Sequence, residues 1–364
     1  MRTSYFCSAS LVLLAAYILP STAFALPPGL LYLSEAYGPV ARGFGSVAAT
    51  PDPGHTGAGA NPAGGATATA SGWYATTLRV PAARVDVVTP DAAGVANVGA
   101  TLRRDGYGLA VLRRPMRLGT RTLLTAETAY RAAGRFRRVD EDGTSVHAFP
   151  DTDVAVGATL SRRVSSQLSI GGGARWLRSK YSDEANVGQS GRGWAFDAGF
   201  VLRPADGWRI GLTARNLSNG VSYPDLQLPR DPRHEVVVGV ARSVALSDSA
   251  DLTLAADARM PSARGTQGSA GAAITSGARF GVSVGYLRRV ERLTSSAAGS
   301  DDVVLSDTRL WRAMGPTAGG WLRLGGVEIS AAVSPAYLPT VLANETHAVH
   351  EGDWQWSVGV SPAR

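Results

Sequence analysis

Trp194-Ala195-Phe196-Asp197-Ala198-Gly199-Phe200-Val201-Leu202, Arg203-Pro204-Ala205-Asp206-Gly207 and Trp208-Arg209-Ile210-Gly211-Leu212-Thr213-Ala214-Arg215 follow one another without a break. In the first piece Trp194, Phe196, Ala198, Phe200 and Leu202 fall on one side, with Asp197, Gly199 and Arg203 on the other. In the third, Trp208, Ile210, Leu212 and Ala214 oppose Arg209, Gly211, Thr213 and Arg215. A period of two is that of an extended strand, and the Pro and Asp-Gly between the two pieces supply a tight reversal. The same alternation recurs in Val154–Leu160, Leu252–Ala258, Phe280–Tyr286 and Trp354–Val360.

A soluble sandwich or solenoid also alternates, so other features have to choose among the all-β folds. The second face carries Gly, Ser, Thr, Asp and Arg, which suits a polar lumen better than a dry core. Arginine held against lipid at mid-depth costs about 2–4 kcal/mol, so these arginines belong inside. Trp73, Tyr130, Trp176, Trp194, Trp208, Tyr286 and Trp354 stand at strand ends, where interfacial girdles form. Short joints (Arg203–Gly207, Arg163–Ser166) alternate with long polar ones: Ala132–Thr152, Ser182–Arg192, Ser218–Arg233, Val290–Val304 and Pro335–Gly352. Short periplasmic turns and longer outer loops are the habit of an outer-membrane barrel. The expected fold is therefore an all-β transmembrane antiparallel β-barrel of about fourteen strands. The ambiguous stretch Pro81–Arg114 has room for two more.

The start of the chain reads as an export signal: Arg2, an apolar core from Leu11 to Leu19, and Ala23-Phe24-Ala25 as a small-x-small cleavage site. That core is shorter than the ~20 apolar residues a spanning helix needs. The organisation expected is a signal peptide over residues 1–25, a hatch or plug over 26–70 and an outer-membrane barrel over 71–364. Cys7, the sole cysteine, goes with the signal, which excludes disulfides and thiolate sites from the processed protein. The 36 basic and 29 acidic residues give a formal charge of +7, nearly all of it from arginine, since Lys180 is the only lysine. Arginine spread over an exported chain does not make a nucleic-acid footprint. The expected surroundings are outer-membrane lipid, after passage through the barrel-assembly machinery.

Leu26–Ala70 is rich in Gly, Ala and Pro and has too little apolar bulk to fold alone. It reads either as a disordered arm or as a plug threaded through the polar lumen. Ala41-Arg42-Gly43-Phe44-Gly45-Ser46-Val47-Ala48-Ala49, followed by Asn61-Pro62-Ala63-Gly64, resembles the N-terminal pattern of the PorV/PorQ family, barrels related to the FadL fatty acid transporters. Trp194–Phe200, Trp208–Leu217 and Glu345-Thr346-His347 leading to Trp354–Ser361 resemble strands of the same family. The resemblance implies a fourteen-stranded barrel with an N-terminal hatch in its lumen. The chain departs from the family pattern at Pro51–His55, where an acidic stretch is usual, and at its non-aromatic end Ser361-Pro362-Ala363-Arg364.

No catalytic motif emerges, and neither an enzyme nor a cofactor is expected. His347 and His350 share a loop with Glu345 and Glu351, and Asp140–Gly143 and Asp301-Asp302 are acidic, yet these read as solvated loop polarity rather than metal sites. The positions expected to matter are inward: Arg175, Asp197, Arg209, Arg215, Asp257, Arg259 and Arg279, either holding Asn61, Pro62, Ala63 and Gly64 or satisfying one another in a filled lumen. Two functions follow. The PorV/PorQ resemblance implies an interaction barrel serving secreted proteins or a type IX-like apparatus, with a blocked lumen. The alternative is a FadL-like passive channel for hydrophobic or amphipathic small molecules, with an apolar pocket beside the hatch and a gap in the wall.

Overall fold

The computed structural model describes residues 38–44, 49, 60–67, 73–80, 83–90, 96–104, 107–132, 136–140, 145–148, 152–182, 188–218, 220–223, 234–261, 267–277, 279–298, 304–335, 338–342 and 354–362. The signal region, most of 26–59 and the histidine-bearing loop at 343–350 lie outside these residues.

The wall begins with β1 (Tyr74–Val80); after β2 (Ala83–Pro90) and β3 (Ala96–Arg104) it resumes with β4 (Tyr107–Arg117) and β5 (Thr122–Ala132). Beyond β6 (Phe136–Asp140) and β7 (Ser145–Ala148) it continues through β8 (Thr152–Arg163), β9 (Leu168–Ser182), β10 (Gly188–Leu202) and β11 (Trp208–Leu217). Next come β12 (Glu235–Ser247), β13 (Ala250–Pro261), β14 (Gln267–Ser276), β15 (Phe280–Ala298), β16 (Val304–Leu324) and β17 (Val327–Pro335). A short β18 (Leu338–Leu342) precedes the last wall strand, β19 (Trp354–Pro362). Each wall strand pairs antiparallel with the next, and β1 closes on β19 through Ala75↔Val360 and Thr77↔Val358. The result is a closed antiparallel β-barrel of fourteen strands, with β18 lying along the part of β16 that outruns β17.

The barrel is apolar outside and polar inside, the reverse of a soluble protein. Val284 is 60% exposed and Trp194 55%, whereas Arg113 and Arg215 are each 1% exposed. Alternation on the pleat produces this directly: along β12, Val238 and Val240 face out while Glu235 and Val237 are buried inside. Exposed Arg79, Arg114, Arg162, Arg178, Arg192, Arg242 and Arg288 interrupt the apolar outer face, so the expectation that arginine stays inside holds only away from the strand ends. They stand toward the end of their own strand or, like Arg242 opposite Trp208 and Arg288 opposite Gly268, of the strand paired with it, which explains the tolerance because the cost of a lipid-facing charge falls with distance from mid-depth. Arg242 also stacks over Trp208 at 5.2 Å. An arginine at Val238 is expected to cost about 2–4 kcal/mol, and one at Leu246 near the turn about 0–1. Equilibrium unfolding in vesicles reads the difference; equal costs would contradict the lipid-facing assignment.

Two stretches expected as loops are strand instead. β9 and β10 stay paired out to Ser182↔Gly188, and β15 and β16 out to Ala298↔Val304. Polar side chains conceal a hairpin that has left the membrane, because the two-residue apolar rhythm has no lipid to answer to there. Pro81–Arg114, the ambiguous stretch, and Ala132–Thr152, also expected as a loop, hold β2, β3, β6 and β7, which form a separate four-stranded sheet. The two extra strands considered for the first of these stretches therefore do not enlarge the wall. Among the described residues no helix is long and apolar enough to cross a membrane.

Candidate luminal site

Two pieces of the N-terminal segment lie against the inward face of the wall. One is a short helix, α1 (Pro39–Gly43), with Pro in its first turn and before it Gly38 at a φ of +121°, a conformation that favours glycine. The other is a 3-10 turn, Pro62–Thr67, entered through Asn61. Both are seated where inward positions of the wall are glycine. A methyl added at Gly271 of β14 would stand 2.8 Å from Phe44, one at Gly239 of β12 2.9 Å from Ala49, and one at Gly319 of β16 2.9 Å from Gly43. At Gly171 it would overlap the backbone of Pro62, and at Gly199 the side chain of Asn61. Backbone can approach a sheet this closely only where side chains are missing.

Asn61 is fully buried. Its Nδ2 donates to the Ala49 carbonyl at 2.8 Å and to the Phe200 and Leu212 carbonyls of β10 and β11 at 3.2 Å each. Two hydrogens serve three acceptors, so one is shared. Its Oδ1 accepts from the Ala63 N–H at 2.9 Å, and its carbonyl from the Gly64 N–H at 2.9 Å. That is the local turn an asparagine before proline forms readily. The wall answers through Ser161, whose Oγ donates to the Pro62 carbonyl at 2.5 Å, and through Thr317, whose Oγ1 donates to the Gly43 carbonyl at 2.8 Å.

Displaced from Gly171 and Gly199 toward the long-loop end, and level with Gly239 at Asp257, runs a belt of buried charge. Arg113 pairs with Glu127 at 2.6 Å and Arg131 with Asp153 at 2.6 Å. Arg175 pairs with Asp197 at 2.7 Å, lies 4.0 Å from Glu127, and donates to Asn216 Oδ1 at 2.8 Å. Arg215 pairs with Glu235 at 3.1 Å, and Arg259 stands 3.9 Å from Glu235 and 4.0 Å from Asp257, which in turn accepts from the Ser269 hydroxyl. Among the described residues the belt's five arginines are matched by five carboxylates. Such pairs hold charge in a low-dielectric interior because each partner supplies what water otherwise would.

Of the residues singled out from the sequence, Arg175, Asp197, Arg215, Asp257 and Arg259 meet in this belt. Asn61, Pro62, Ala63 and Gly64 lie on the glycine floor near Ser161 and Gly199, not on the belt arginines. Arg209 is half-buried at the opposite end of β11. There, burial first and the nearby Arg163 and Arg209 guanidiniums second hold the guanidinium of turn residue Arg203 below its ordinary value. Arg279 departs from expectation: it is exposed in the turn joining β14 to β15, because the inward rhythm of β15 begins only at Gly281. Sequence reasoning missed Arg113, Glu127, Arg131, Asp153 and Glu235. The alternation of β5 carried the signal for Glu127 and Arg131, whereas Glu235 is the first residue after a long loop. Asn216 announces itself only in three dimensions, through a φ of +57° beside the register break between Phe196 and Ala198.

Among the described residues no group of three or more His, Cys, Asp or Glu side chains could hold a metal ion. His234 Nε2 lies 2.9 Å from the Ser218 carbonyl.

No family model and no curated protein matches the chain. Solved structures do. The P. putida toluene transporter TodX matches with 13% identity and a TM-score of 0.57, over 90% of this chain and 98% of that one. The Ralstonia pickettii toluene transporter TbuX matches with 12% identity and a TM-score of 0.55, over 91% and 98%. A Pseudomonas aeruginosa FadL homologue matches with 12% identity and a TM-score of 0.52, over 94% and 100%. At these identities the likeness establishes a common barrel fold.

Proposed function

We propose that the chain is an outer-membrane channel that passes hydrophobic or amphipathic small molecules, with its N-terminal segment acting as the hatch. The observation that carries this reading is the apolar stretch of wall beneath the helix at Gly38 and Arg42, where a crevice of about 10 Å³, room for one water molecule, remains. Leu78, Leu109 and Val111 line it from β1 and β4, together with Thr76 and Ser357. Aliphatic wall residues beneath a removable segment are what a passive hydrocarbon route requires, while the charge belt beyond them is made of matched pairs. The likeness to the toluene transporters TodX and TbuX adds weight to the same solute class. The gap in the wall expected of such a channel has only a faint counterpart: the break between β10 and β11, occupied by Arg175, Asp197 and Asn216.

The secretion-associated reading that came with the PorV/PorQ resemblance has no comparable support. The apolar outer face and the likeness to outer-membrane channels support placement in the outer membrane, with the short turns facing the periplasm. Uptake of a monoaromatic hydrocarbon into proteoliposomes, with and without residues 26–70, tests the channel. Deletion is expected to raise the rate well above that of the full chain. If deletion opens no path to any solute, the gated-channel reading is lost.

A further inference from the structure

On the outer face of β9 and β10, Trp194 and Trp176 are direct cross-strand partners. One pleat repeat further toward the long-loop end, about 7 Å along the strands, the directly opposed pair is Arg192 and Arg178. Lys180, the only lysine of the chain, follows on the same face opposite Ser190. All three basic side chains are exposed. Two like charges set opposite each other in a ladder repel, and a sheet ordinarily avoids that arrangement. Here it is held firmly. Arg178 Nε donates to Ser190 Oγ at 3.2 Å, and the Arg192 backbone exchanges hydrogen bonds with Ser222 at 3.1 and 3.0 Å. Among the described residues on the outward faces of β5, β8, β9 and β10 there is no carboxylate to neutralise the cluster. Tyr130 of β5 and Val154 of β8 continue the row beside Arg178.

A basic cluster just beyond an aromatic pair stands where acyl chains end and headgroups begin. Two guanidiniums side by side form forks that match phosphate oxygens, each able to bind in bidentate fashion. We infer that this face binds the phosphates of a phosphorylated glycolipid of the outer leaflet, with Trp176 and Trp194 against its acyl chains and Arg178, Arg192 and Lys180 on its headgroup. The bound anion removes the repulsion that the strand pair would otherwise carry. The inference rests on the barrel's orientation in the outer membrane and is independent of whether the lumen conducts.

The test uses the full processed chain in zwitterionic detergent, titrated with bis-phosphorylated lipid A and followed by native mass spectrometry. The variant Arg178→Ser/Arg192→Ser is expected to bind at least tenfold more weakly, with Lys180→Gln in between and Arg242→Gln, at the other end of the barrel, unchanged. Without lipid, the double variant is expected to melt at the same temperature as the parent or higher, because a repulsive pair has gone; with lipid A only the parent gains. Should the double variant fail to fold, Arg192→Gln alone is read against the parent. Equal affinity of parent and variant overturns the site, and binding of phosphatidylglycerol as tight as that of lipid A overturns the assignment to a glycolipid.

Discussion

Gly199→Leu is expected to unseat the N-terminal segment from the barrel wall. Even a methyl there overlaps Asn61, which is fully buried and holds the segment to two wall carbonyls. Overpacking at such a contact costs about 1–3 kcal/mol, which corresponds to about a 5–150-fold shift in any equilibrium between seated and released forms. Two readouts should move together. The rate of solute entry into proteoliposomes should rise, and trypsin should gain access to Arg42, which is 2% exposed in the seated form. Gly172→Ala is the control. It faces the opposite side of the same sheet, where an added methyl has its nearest neighbour at an ordinary 3.7 Å. Protection of Arg42 and unchanged entry in Gly199→Leu would show that the segment does not depend on this seat.

The second large effect is expected from the charge belt. Arg175→Met removes the partner of Asp197 and the donor to Asn216 while leaving both in place. Breaking one side of a buried pair costs about 3–5 kcal/mol, mostly the penalty of an uncompensated carboxylate. Arg175→Met/Asp197→Leu should recover most of that loss, because no charge is then stranded. Thermal unfolding in detergent distinguishes the two variants. If the single variant is as stable as the parent, the pair is not holding the wall together at the break between β10 and β11.

The wall was legible because lipid on one side and enclosed polarity on the other force a strict two-residue rhythm, as in Trp194–Leu202 and Trp208–Arg215. Where strands leave the membrane the rhythm lapses. Val290–Val304 therefore reads as a loop although β15 and β16 remain paired there. The face of each luminal candidate was legible too, but its depth was not. Rhythm places Arg175 and Arg209 on the same inward side, yet one belongs to the belt and the other to the opposite rim. Depth depends on register, which turns and bulges set and which is written between strands rather than along them. The floor beneath Asn61 was hidden for a related reason. Gly171 and Gly199 are directly paired across β9 and β10, and neither glycine by itself signals that a second piece of chain comes to rest there.

The pairing of β1 with β19 carries a consequence for biogenesis. Other neighbours in the wall come together as local hairpins or across modest connections, but this seam joins the two extremities of the strand-forming sequence. Until its final segment arrives, the nascent sheet is an unzipped cylinder with two naked margins, each able to recruit a stray chain. The N-terminal segment is tethered at one of those margins, so it has to be gathered in before the cylinder shuts. Shortening the chain by its last few residues should therefore leave aggregated material rather than a slightly smaller pore.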